Sequence, residues 1–97
     1  MHLDDRISLE PVTPKKGQSV RIEYRGLLAQ SGADAIWSHI GKDGWTNIQD
    51  VPMQRTPEGN FSCTIDANTN REINFCFKDS ADHFDNNNGH NWCINIS

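Results

Sequence analysis

Four side chains of this sequence could do chemistry together: Trp37, His39, Trp45 and Phe84. Phe84 opens a run of amides and acids, Asp85, Asn86 and Asn87, that continues to Asn91. Between Asp82 and Asn91 six of the ten residues are Asn or Asp, and Phe84 is the one large ring among them. A loop that needs only to be solvated requires neither three consecutive Asn nor a large aromatic. Flat rings beside amides suit a ligand with apolar faces and hydroxylated edges, and a sugar ring is such a ligand. Its C–H face loses apolar area to water contact when it stacks on an aromatic, at roughly 25 cal/mol per Å². The hydroxyls at its rim then need donors and acceptors, and Asn supplies both. A packing role competes for each ring: Trp45 as a residue folded over the core edge, Phe84 as a plug under its loop, Trp37 as a contact for a protein partner.

Other chemistries find less support. Asp79, Asp82 and Asp85 could offer paired carboxylates, but they share one short segment with no acid on an opposing wall. Three Cys and four His show no close zinc-ligand spacing. The run from Asp82 to Asn88 offers oxygen ligands but lacks the closing bidentate Glu and central Gly of a calcium loop. Turn chemistry, with Gly89 at a left-handed position, explains the same letters. No catalytic residue, cofactor or metal is therefore expected. The net charge of −4, with no basic run beyond Lys15-Lys16, argues against nucleic acid. No stretch has membrane-spanning length. The acids in MHLDDRISLE do not resemble a signal peptide, which points to a cytoplasmic location. An odd number of Cys fits reduced thiols, and pairing of Cys76 with Cys93 stays open.

The elements that must position these residues are strands. Val20, Ile22 and Tyr24 alternate with Arg21 and Glu23, as Ile73, Phe75 and Phe77 alternate with Asn74 and Cys76. Phe61, Cys63 and Ile65 follow the same period, and Trp92, Ile94 and Ile96 resume it after the Asn run. In AIWSHIG, Ile36, Ser38 and Ile40 share one face and Trp37 and His39 the other. Gly41-Lys42-Asp43-Gly44 then turns into Trp45. Ile48, Val51 and Met53 read as core contacts of a poorly periodic strand near Pro52. Short strands at roughly ten-residue intervals, separated by Gly, Pro or Asn, predict an all-β, immunoglobulin-like β-sandwich of six to eight antiparallel strands. Its 97 residues make one domain, 1–97, with a thin core and a mean hydropathy of −0.70.

The run FDNNNGHNW (84–92), together with IWSHIGKDGW (36–45) and Gly59-Asn60-Phe61, resembles the starch-binding carbohydrate-binding modules of families 25 and 53. That resemblance implies non-catalytic binding of α-glucans such as starch, glycogen or maltooligosaccharides. By position, His39 becomes a hydrogen-bonding ligand and Trp45 a stacking platform, and Phe84 stands where the family usually has a second stacking Trp. Asp85, Asn86 and Asn87 would shape the loop or meet hydroxyls. The smaller ring of Phe84 implies weaker stacking, and Ser38 falls at a usually apolar inward position. The competing reading is a protein-interaction or self-assembly domain that uses the Trp37 face, with a weak homodimer as its consequence.

Overall fold

A computed structural model describes residues 2–4, 6–87, 89 and 91–96, with backbone alone for residues 2–4, 46 and 47. The chain forms β1 (His2–Asp4), β2 (Ile7–Glu10), β3 (Ser19–Tyr24), a single helical turn α1 (Leu27–Gln30) and β4 (Ile36–Lys42). There follow β5 (Thr46–Pro52), β6 (Gln54–Arg55), β7 (Phe61–Asp66), β8 (Glu72–Asp79), β9 (Phe84–Asp85) and β10 (Trp92–Asn95). All pairings are antiparallel. One sheet runs β1-β2-β3-β7-β6 and the other β10-β8-β4-β5, with β9 also on β8. Among the described residues, seven strands are four residues or longer. This is the β-sandwich that the alternating pattern predicts.

The inward faces follow from the period of two. From the first sheet come Ile7, Leu9, Val20, Ile22, Tyr24, Phe61 and Ile65; from the second, Ile36, Ile40, Ile73, Phe75, Phe77, Trp92 and Ile94. Ser38 joins them at 0% exposure, its hydroxyl set against the Cys63 thiol of the facing sheet. All three cysteines are free thiols.

Two expectations change. Ile48 is 56% exposed and lies outside the core. Register explains it: Asp50 pairs with outward-facing His39, so Ile48, two residues away, faces solvent with it. Met53, just beyond β5, is buried as expected, and Val51 is half-buried. The second change concerns the edge of β8. Its first half pairs with β10 and its second with β9, both on the side away from β4. Phe84 and Asp85 therefore form a short strand within the polar run that precedes Trp92, on the same edge of β8 as β10.

Candidate functional site

The outward face of the second sheet carries the site. On β4, Trp37, His39 and Gly41 point away from the core, by the alternation that sends Ile36, Ser38 and Ile40 inward. Trp45 reaches this face from the β4–β5 turn. Asp43, Gly44 and Trp45 all have positive φ, at 48°, 80° and 66°. Such a backbone is unusual for a bulky aromatic, and it folds the indole back over Gly41. A Cβ at position 41 would lie 2.8 Å from Trp45 Cα and collide with the indole carbons, so only glycine lets the ring settle there.

The turn is pinned from outside. The Asp43 carboxylate accepts the N–H of Arg71 (2.9 Å), Asn70 (3.3 Å) and Glu72 (3.3 Å). Gly44 N–H donates to Glu72 Oε2 at 2.6 Å. The neighbouring Thr69 hydroxyl, and then these backbone donors, hold the Asp43 carboxyl far below the usual carboxylate range.

Phe84 arrives on β9 opposite Lys78. Its ring is 49% exposed, whereas the next residue, Asp85, turns inward and is 6% exposed. The Tyr24 hydroxyl donates to Asp85 Oδ2 at 2.5 Å and accepts the Leu28 N–H at 3.0 Å. Tyr24 also stacks on Phe77 at 4.1 Å. Burial, and then the bond to Asp85, push the phenol far above its ordinary value. Gly26 permits this contact, since a Cβ there would fall 2.6 Å from Tyr24 Cε1 and 2.9 Å from Asp85 Oδ2.

His39 stands between the two rings. Its centroid is 6.0 Å from Trp45, tilted 31°, and 5.8 Å from Phe84, edge-on at 87°. The two stacking faces are consequently steeply inclined to each other. Cys76, the cross-strand partner of His39, lies 5% exposed at the base of the cluster, and burial pushes its thiol up to about 11. His39 Nδ1 meets Asp50 Oδ1 at 2.5 Å, and Lys78 Nζ donates to Asp50 Oδ2 at 2.8 Å. The Lys78 bond, and then that of His39, keep the Asp50 carboxyl below its ordinary value. An ionised carboxylate only accepts, so Nδ1 carries the proton, and a neutral imidazole then presents its lone pair at Nε2. The imidazole is partly open to solvent, with 26% of its side chain exposed.

The amides are engaged differently from the rings. Asn86 Oδ1 accepts the Gly89 N–H at 3.0 Å, and its carbonyl accepts the Asn91 N–H at 2.8 Å. Asn87, at φ 55°, receives an Arg6 N–H on Oδ1 at 2.7 Å and donates to the Asn91 carbonyl at 3.3 Å. Asp85, Asn86 and Asn87 thus hold the loop's shape. Trp37 is half-buried on the same sheet face, opposite Lys78 on one side and Pro52 on the other. Sequence reading missed Gly41, Asp43, Asp50 and Lys78. Asp43-Gly44 before a Trp was a visible signal for the first two; Asp50 and Lys78 become neighbours of His39 only through register. Among the described residues, no group of three or more His, Cys, Asp or Glu is placed to hold a metal ion.

Comparison with known proteins adds a family. The sequence model of the starch/carbohydrate-binding module (family 53) matches residues 20–75. An alpha-amylase of Clostridium acetobutylicum is 32% identical to this chain over 96 residues. That alignment covers 97% of this chain but 12% of the amylase, so the chain spans a small part of its relative's length. No solved structure matches. The matched span takes in the β4–β5 hairpin with His39, Gly41 and Trp45, and it covers more than half of the sequence: the chain belongs to the family 53 starch/carbohydrate-binding modules.

Proposed function

We propose that this module binds α-glucans such as starch, glycogen or maltooligosaccharides without catalysis, by stacking sugar rings on Trp45 and Phe84 around His39. The observation that carries the reading is the placement of both rings within about 6 Å of one imidazole on a single sheet face. Trp45 offers the larger stacking face and Phe84 a smaller, more exposed one. His39 Nε2 would accept a hydroxyl proton between them, with Nδ1 committed to Asp50. The inclination of the two rings favours the α linkage. Successive units of an α-1,4-glucan turn steadily in one direction, whereas a β-1,4-glucan is a flat ribbon that suits coplanar platforms.

Titration calorimetry with maltoheptaose tests this. The native protein should bind with millimolar or tighter affinity, and Trp45→Ala should lower that affinity at least tenfold. The loss corresponds to about 1.4 kcal/mol, the lower end of what burying a large ring face provides. A β-1,4-linked oligosaccharide of equal length should give no heat. Equal binding of both sugars, or full binding by Trp45→Ala, would refute the reading.

A further inference from the structure

Beside the ring cluster lies a second concavity of about 150 Å³, lined by Trp37, Asp50, Lys78, Asp79, Ser80 and Asp82. It is continuous with the cluster through two shared residues. Asp50 both lines the pocket and holds His39. Lys78 is the register partner of Trp37 on one side and of Phe84 on the other. Trp37 and Phe84 are therefore two strand spacings apart, about 10 Å, a distance that a short oligosaccharide covers.

The walls of this pocket suit a neutral, hydroxylated ligand. One side is the half-buried indole of Trp37, the other a turn made rigid by its own bonds. Asp79 Oδ1 accepts the N–H of Ala81 (3.0 Å) and of His83 (2.9 Å), and the Ser80 hydroxyl bonds to Asp34 at 3.0 Å. Among the described residues, neither the Trp37 indole N–H nor the Asp82 carboxylate has a hydrogen-bond partner. The pocket thus keeps one unused acceptor, the Asp82 carboxylate, beside the Trp37 ring. Lys78 neutralises Asp50, backbone N–H groups hold Asp79, and the carboxylates of the wall oppose an anion such as a phosphate. Sugar hydroxyls, which donate and accept without charge, satisfy such walls.

We propose that this pocket is an additional subsite that takes a further glucosyl unit of the glucan lying across Trp45 and Phe84, stacked on Trp37 and hydrogen-bonded to Asp82. The proposal rests on the α-glucan reading of the neighbouring cluster and extends its length preference. Linear maltooligosaccharides from maltotriose to maltoheptaose, titrated calorimetrically into the native protein, Trp37→Ala, Asp82→Asn and Trp45→Ala, provide the test. Affinity of the native protein should climb with length. Trp37→Ala should leave the shortest sugars unaffected and flatten the climb, about three- to tenfold at maltoheptaose, the value of one aromatic contact. Asp82→Asn, an exposed position where Asn tolerates the same positive φ of 62°, should reproduce part of that loss without burdening the fold. If both variants follow the native protein at every length while Trp45→Ala loses binding, the subsite is refuted and the ring cluster stands. If the native protein binds none of the sugars, the α-glucan reading itself falls, and the subsite with it.

Discussion

The two arms of the ring cluster are held in opposite ways. The Trp45 arm is a hairpin tip fastened at the surface, where the Asp43 carboxylate gathers backbone N–H groups from residues 70–72. The Phe84 arm is fastened from below, through Asp85 to the fully buried Tyr24 in the facing sheet. The first anchor is solvated and depends on charge. The second is part of the core, so loosening it opens the sandwich itself. One sheet face thus combines an arm that can be perturbed without unfolding with an arm that cannot.

Three perturbations would break or sharpen that contrast. Asp85→Ala should have the largest effect on stability, because it leaves the buried Tyr24 O–H without its acceptor. A loss of about 1–3 kcal/mol in urea denaturation is expected. If stability is unchanged, the Phe84 arm is not anchored through the core. Gly41→Ala should do the converse. Displacing the indole from its seat should weaken maltoheptaose binding about as much as Trp45→Ala does, while stability falls by about 1 kcal/mol or less. Native-like affinity in this variant would mean that the seat does not orient Trp45.

The smallest effect should come from acid. Asp43 has a folded-state pKa below its unfolded value, so its contribution is complete above the unfolded value and is lost as pH falls through the folded one. The stability difference between native protein and Asp43→Asn should hold constant near neutrality and shrink below pH about 4. A difference that persists undiminished in acid would show that the carboxylate's charge is not what fastens the hairpin.

The strands were legible because their inner faces are made of Ile, Val and aromatic side chains at every second position. Tyr24, Phe75, Phe77 and Trp92 all face inward as that period requires. β5 was less legible. Ile48 looked like a core residue, yet its direction is set by the pairing of Asp50 with His39, a long-range fact that no local pattern encodes. The rings of the cluster could be singled out as aromatics in polar company. Their supports could not, because Asp50, Lys78 and the Tyr24–Asp85 bond depend on residues distant in sequence becoming neighbours. In the Asn run, types suited to hydroxyl recognition and types suited to turns are the same, and the observed bonds show turn geometry.

The divided edge of β8 has a consequence for how such surfaces diversify. The two short pairings on this edge, β9 and β10, are each fixed by their own partners on β8. Inserting or deleting residues between them would alter the rim of this sheet face while leaving every ladder contact in phase. That segment is accordingly the natural graft point of the module, where a new recognition loop could be installed without redesigning the scaffold.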